Sequence, residues 1–344
     1  MSRTSSPPPA VPTSAPAKPD DVTGDVTGDV TDDVGVAPAG PAGPAPVARG
    51  PLTLATGLVK LARPKQWAKN VLVFAAPAAA GVLDNTQWAI DATVAFVCFC
   101  LAAGGTYYVN DASDVAADRL HPKKRHRPVA SGVVPVPLAY VGGVVLIGAA
   151  LALAFTVNGN LALTVAGYVV LTTAYSSFLK HVAVVDLVAV AAGFVLRAVA
   201  GAAATEVPIS DWFFIVTSFG ALFMISGKRA AEAREMGDEA GEFRTVLAAY
   251  STSYTAYLRS LTSGAVLVAY CLWAFEKAES VAGSPWLPWY QLSILPFMMA
   301  VLRYALVLDQ GRGSAPEEIV LGDRPLQLIG VAWAIVFAIG VYTA

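Results

Sequence analysis

Charge is scarce in this chain. Lys, Arg, Asp and Glu supply 14% of the 344 residues, whereas 56% are hydrophobic. Soluble domains carry roughly a quarter charged residues, so a water-soluble enzyme is excluded. Cysteine is almost missing: Cys98, Cys100 and Cys271 all lie inside apolar runs, with no CxxC pair and no His/Cys cluster. That excludes a disulfide framework and a thiolate metal site. Only three histidines occur, His121, His126 and His181, each among basic residues, and they read as loop residues. Aromatic residues are absent from the first fifty positions, and that stretch has no apolar core segment, so it is not a signal peptide.

What is present is a series of apolar runs about 20 residues long, enough to cross a hydrocarbon core. Spans are expected at about 69–83, 88–108, 133–156, 159–176, 183–204, 210–227, 254–274, 290–308 and 326–343, about nine in all. The fold class is therefore an all-α polytopic membrane protein. Two regions are expected. Residues 1–50 form a Pro/Ala/Asp-rich disordered tail, and 51–344 form the transmembrane catalytic domain. The repeat "DVTGDVTGDVTDDV" (Asp21–Val34) carries Asp and Gly in a calcium-like rhythm, but one short tract cannot stack into a solenoid. It reads as an acidic tail.

The positive residues fall in alternate loops. Arg63, Lys65 and Lys69 precede the first span, and Lys123, Lys124, Arg125 and Arg127 follow the second. Lys180 follows the fourth, Lys228, Arg229, Arg234 and Arg244 the sixth, and Arg312 and Arg324 the eighth. The intervening loops are nearly free of Lys and Arg, apart from Lys277. The positive-inside rule puts the amino terminus and every basic loop in the cytoplasm, in a plasma-membrane protein whose site faces that side.

Chemistry concentrates in "NDASDVAADR" (Asn110–Arg119), at the end of the second span. Asp111, Asp114 and Asp118 are spaced i, i+3, i+7, which on a helix aligns them on one face. Three like charges so close repel one another unless a hard cation joins them. Carboxylate oxygens suit Mg²⁺, which takes its remaining ligands from water and substrate phosphates. The basic run from Arg119 to Arg127 then supplies phosphate partners. The bland alternative is an acidic helix end beside an ordinary positive loop. Elsewhere, Arg63, Gln66, Lys69 and Asn70 fall on one helical face, as a phosphate-binding row or a lipid-headgroup anchor. Tyr175 and Lys180 close the fourth span, as ligands or as an interfacial aromatic and a snorkelling lysine. Asp186 and Arg197 share a face of the fifth span. Ionisable residues inside a span are functional candidates, with packing ion pairs to other helices as the alternative. Lys228 and Arg229 sit at a membrane exit with Glu232 one turn on.

"NDASDVAADR" resembles the first aspartate motif, N-D-x-x-D-x-x-x-D, of the UbiA superfamily of intramembrane prenyltransferases. "RPKQWAKN", "HPKKRHRPVASG", "YSSFLKH" and "GFVLRAVAG" resemble the branch of it that transfers phosphoribose from phosphoribosyl pyrophosphate to a polyprenyl phosphate, for cell-wall arabinan. The resemblance implies nine helices around a lateral cavity and a Mg²⁺ cofactor held by Asp111, Asp114 and Asp118, with Arg119 in the catalytic set. It also implies substrate contacts among Gln66, Lys69, Asn70, Asn110, Lys123, Lys124, Arg125, Arg127, Tyr175, Lys180, Asp186, Arg197, Lys228 and Arg229. The partners are the two phosphorylated substrates and the bilayer; a homo-oligomer is compatible with this, and no nucleic acid is expected. One departure supports the narrower branch. Relatives that use prenyl diphosphates carry a second aspartate motif after the sixth span, where this chain reads Lys-Arg-Ala-Ala-Glu from Lys228 to Glu232. A basic loop suits a donor with a 5-phosphate and an acceptor with a lipid phosphate. The alternatives are a UbiA-type prenyltransferase acting on an aromatic or haem acceptor, which a second acidic motif would favour, and a transporter, which internal repeats and midplane charges would favour.

Overall fold

A computed structural model describes residues 50–236, 246, 249–280, 287–311 and 316–343. The tail with its Asp21–Val34 repeat, and the basic residues Arg244 and Arg312, lie outside the described residues. All regular structure among those described is helical. Helix α1 (Pro51–Leu61) leads into a 3₁₀ segment, Pro64–Phe74, and the short α2 (Ala75–Ala79). Then come α3 (Thr86–Ser113), α4 (Val115–Leu120), α5 (Val136–Val157), α6 (Gly159–Ser177), α7 (Val185–Ala204) and α8 (Asp211–Met236). The chain continues through α9 (Thr252–Ser280), α10 (Trp289–Leu292), α11 (Ile294–Asp309), α12 (Pro316–Gly322) and α13 (Arg324–Thr343).

Seven helical stretches are long and apolar enough to cross a membrane: α3, α5, α7, α8, α9, α10 with α11, and α13. Two of the nine expected spans differ. The fourth is a 19-residue helix, α6, whose hydroxyl residues lower its hydropathy. Thr164, Thr172 and Ser177 return their hydroxyls to carbonyls four residues back, which lowers the cost of burying them. The first, 69–83, is not one helix. Pro77 has no N–H to give the Val73 carbonyl, as a continuous helix would require. That carbonyl instead packs on Gly201 of α7, where a Cβ would lie 1.7 Å from the oxygen. The 3₁₀ segment is thus set directly against α7 by the absence of a side chain.

The helices are built and joined by local chemistry. Asn85 caps α3 by accepting from the Gln87 and Trp88 amides. Asn158 caps α6 and donates to the Ala203 carbonyl, tying it to the end of α7. Gly105 and Gly143 bring α3 and α5 together, since a Cβ on either would lie under 3.0 Å from the other's carbonyl oxygen. Small residues at crossings are how membrane helices gain contact when lipid is as apolar as their side chains. Helices α3, α5, α6 and α7 bury one core around Phe99, Leu161, Val165 and Tyr168. A second packs Phe223 of α8 against Tyr304, Val307 and Leu308 of α11. Val141, Val144, Val145 and Phe155 of α5 point outward, as lipid-facing side chains do. Because successive long helices reverse direction, the ends bearing Asp111–Arg127, Lys180–Asp186 and Lys228–Arg229 gather at one end of the bundle.

Candidate active site

At the end of α3 the helix breaks. Asp114 leaves the α region (φ −87°, ψ 5°) between α3 and α4, so the three aspartates do not share the single face that unbroken helix would give. Asp111 and Asp118 turn inward and are buried, whereas Asp114 is exposed. Nη1 of Arg127 donates to both buried carboxylates, at 3.1 Å to Asp111 and 2.8 Å to Asp118. Arg63 Nη2 donates to Asp111 at 2.6 Å, with its guanidinium 4.6 Å from the Tyr107 ring centroid. Arg63 has a left-handed backbone (φ 52°), the corner that turns α1 into the 3₁₀ segment. The two arginines keep 31% and 29% of their side chains exposed, against 2–3% for the aspartates.

This donor set fits a hard divalent cation. Two buried carboxylates already present oxygens to one shared cationic nitrogen, and Mg²⁺ commonly takes one or two carboxylates plus substrate phosphates. Among the described residues no group of three His, Cys, Asp or Glu side chains converges at metal-binding spacing, because Asp114 faces out. The basic run is less gathered than its sequence. Lys123, Lys124 and Arg125 are exposed, and His121 Nδ1 accepts from the Lys123 and Lys124 amides to close the turn. Arg119, also exposed, donates from Nε to the Ala130 carbonyl at 3.2 Å. The Asn110 carbonyl accepts from the Asp114 amide at the helix end.

A second charged cluster joins α6, α7 and α8. Arg229 of α8 donates from Nε to Asp186 at 2.9 Å, from Nη1 to Glu232, and from Nη2 to the Tyr175 hydroxyl at 3.1 Å. Asp186 also accepts from the Tyr250 hydroxyl, which itself accepts from the Val184 amide at 2.7 Å. Burial first, and the bond to Asp186 next, hold the Tyr250 phenol above its usual pKa. Lys228 lies 3.7 Å from Glu232 and is a third exposed. Lys180 is half-buried in the turn between α6 and α7.

Asp186 and Arg197, expected together from their shared face, have different partners. Arg197 is buried and donates to Asn70 Oδ1 (2.8 Å), the Gly193 carbonyl (2.7 Å) and the Tyr168 hydroxyl (3.0 Å). Rings of Tyr168, Phe194 and Phe99 lie 4.8, 5.5 and 5.8 Å from its guanidinium carbon. Among the described residues no carboxylate pairs with it, so neutral acceptors and aromatic faces support the charge. The row Arg63, Gln66, Lys69, Asn70 also divides. At three residues per turn, Gln66 and Lys69 stack, with the lysine donating to the glutamine. Asn70 turns inward to Arg197 and to Cys100 Sγ, 3.2 Å away.

Sequence reasoning missed Tyr250 and Tyr168. Tyr168 lies in an apolar run and Tyr250 opens a Ser/Thr/Tyr-rich stretch, and each finds its charged partner far along the chain, so no local spacing marks it. A cavity of about 750 Å³ lies at the opposite end of α7, lined by Val199, Ser210, Asp211, Trp212 and Glu276 among others. It holds none of the expected site residues.

Known proteins resemble this chain in sequence and in fold. The chain is 43% identical over 296 residues to the decaprenyl-phosphate phosphoribosyltransferase of Corynebacterium glutamicum, covering 85% of this chain and 89% of that one. It is 45% identical over 291 residues to the enzyme of that name from Mycobacterium tuberculosis, covering 83% and 95%. Among solved structures, a UbiA homolog from Archaeoglobus fulgidus bound to GPP and Mg²⁺ shares the fold at a TM-score of 0.63 and 18% identity, over 83% of this chain and 99% of that one. Residues 71–321 match the UbiA prenyltransferase family, and with that match spanning most of the chain, the protein belongs to that family.

Proposed function

We propose that this protein transfers 5-phosphoribose from phosphoribosyl pyrophosphate to a polyprenyl phosphate, releasing pyrophosphate, at the cytoplasmic face of the membrane. The observation that carries the reading is the buried Asp111–Asp118 pair sharing one half-exposed arginine, in a chain 43–45% identical to phosphoribosyltransferases. Asp111 and Asp118, with the exposed Asp114, would hold Mg²⁺. Bound there, Mg²⁺ would supply Lewis acidity to the pyrophosphate leaving group. Arg63 and Arg127 are exposed enough to exchange a carboxylate for a phosphate oxygen, and Arg119, Lys123 and Lys124 extend the cationic surface. Lys228 and Lys180 are the accessible cations beside the second cluster, suited to the 5-phosphate or the lipid phosphate. Arg229 and Asp186 hold that side of the site in place. The attacking lipid phosphate has a second pKa of about 6 and is ionised near neutral pH, so no strong base is needed. Backside attack inverts the anomeric centre. In the cell the product is read as a precursor of wall arabinan.

The test is transfer of radiolabel from phosphoribosyl pyrophosphate, in Mg²⁺, to an organic phase containing polyprenyl phosphate. Label that stays aqueous, while a prenyl diphosphate is consumed with an aromatic acceptor, overturns the reading in favour of an ordinary prenyltransferase. Residues 51–344 are proposed to be the catalytic domain. Removing the tail up to about Ala48 should leave specific activity within roughly twofold, since its composition cannot build a core.

A further inference from the structure

Val184 is out of place on local grounds. Its φ is 67° with ψ −46°, a positive-φ conformation outside the left-handed helical region that a β-branched residue adopts only under constraint. Such outliers persist where surrounding structure over-determines them. Here the constraint is visible: the Val184 amide donates to the Tyr250 hydroxyl at 2.7 Å, and the same hydroxyl donates to Asp186. Asp186 in turn fixes Arg229 through Nε at 2.9 Å. One phenol oxygen therefore connects the turn after α6, the first turn of α7 and the basic exit of α8.

We propose that the Tyr250 hydroxyl is a positioning group for the phosphate-binding side of the site, locking the Lys180–Val184 turn to the Arg229 cluster. The proposal rests on the transfer reading above. Lys180 lies in the 3₁₀ turn Leu179–His181, four residues before Val184. The Asp186 amide closes back on the Val182 carbonyl at 3.0 Å, and the Val188 amide on that of Val184. The path of the backbone through Val184 thus sets where Lys180 emerges. On the other side, Arg229 is fixed to Asp186, Glu232 and Tyr175, and Lys228 precedes it in α8. The ring needs no hydroxyl to stay put. Tyr250 is buried with Leu187, Ile225 and Val246 and stacks on Tyr254, with centroids 5.8 Å apart and planes 7° from parallel.

Tyr250→Phe separates positioning from packing, because it keeps the ring and removes only the oxygen. Amide hydrogen exchange of the full-length protein in detergent should be at least tenfold faster across residues 182–188 in the variant. The melting temperature should stay within a few degrees of wild type. The apparent KM for phosphoribosyl pyrophosphate or for polyprenyl phosphate should rise at least fivefold, with kcat falling by less. Combined with Arg229→Lys, the effect on KM should be less than additive, since both act through Asp186. Unchanged exchange across 182–188 overturns the lock, and this readout needs no substrate. Faster exchange with both KM values within twofold of wild type overturns the positioning role and leaves a purely structural bond. If wild-type protein transfers no label at all, the transfer reading fails by itself. The lock is then judged by exchange and by calorimetric affinity for inorganic phosphate, the group assigned to this side of the site. A fivefold weaker affinity supports it, and an unchanged one overturns it.

Discussion

The two charged clusters at the basic end use the same residue types and differ in how deeply their cations lie. Around Asp111 and Asp118 the acids are buried but the arginines are about 30% exposed. Around Asp186 both partners are sealed, Arg229 at 3% and Asp186 at 0%. A half-exposed guanidinium can turn to a phosphate while water solvates its departure. A buried one cannot leave without stranding a charge in low dielectric. On the proposed reading the first cluster would exchange partners and the second would hold a geometry. The sequence reading, which gave both the task of binding phosphate, did not draw that distinction.

The largest expected effect falls on the exchangeable cluster. Asp111→Asn and Asp118→Asn should each lower transfer by roughly a thousandfold or more, if Mg²⁺ supplies the several kcal/mol expected of Lewis-acid stabilisation of a leaving group. The assay is label transfer at saturating Mg²⁺ on detergent-purified protein that still elutes as a single species. Near-native turnover in a double variant would remove the metal from this place.

Next in size is the fixed cluster, probed by stability. Asp186→Ala leaves the Arg229 guanidinium without its buried carboxylate, and breaking such a pair costs about 3–5 kcal/mol. Arg63→Ala leaves Asp111 still paired with Arg127 and should cost less. Thermal melting of the two variants in the same detergent measures the contrast. Equal losses would mean that the two clusters do not differ as their burial implies.

A third test takes the residue beside the sealed pair. Lys228 is a third exposed and lies next to Arg229 in α8. Lys228→Ala should raise the apparent KM of one substrate about tenfold, equivalent to 1.4 kcal/mol, with little change in melting. A rise for the donor alone marks the 5-phosphate as its ligand, and a rise for the acceptor alone marks the lipid phosphate. Kinetics identical to wild type would make Lys228 a topology-setting charge.

How much of this was legible follows the range of the forces involved. The spans were readable because each crossing is recorded in about 20 consecutive residues. The first failed because a single proline, Pro77, and a contact 128 residues away, Val73 on Gly201, decide its path. The aspartate motif was readable as a composition but not as a geometry. Nothing between Ser113 and Val115 marks a helix break, neither Gly nor Pro, and the break brings Asp111 and Asp118 to the same nitrogen of Arg127. Helical spacing put Asp186 and Arg197 on one face, but it cannot name a partner on another helix. Arg229 lies 43 residues from Asp186, and Asn70 lies 127 from Arg197. Tyr250, 66 residues from Val184, left no local trace.

The smallest expected effect sharpens the comparison within the first cluster itself. Asp114 is the exposed member of the motif, and its backbone carbonyl accepts the Asp118 amide at 2.8 Å as α4 begins. Asparagine serves as well as aspartate where a helix starts, and an exposed substitution away from any buried pair usually changes stability by less than about 0.5 kcal/mol. Asp114→Asn should therefore melt with wild type, and it should lose transfer if its exposed carboxylate joins Asp111 and Asp118 in holding the metal. Asp111→Asn should lose transfer and melt lower, because Arg63 and Arg127 lose a buried charge. If the two variants melt alike, burial is not what separates the three aspartates. If Asp114→Asn also keeps its transfer activity, the metal needs only the inward pair.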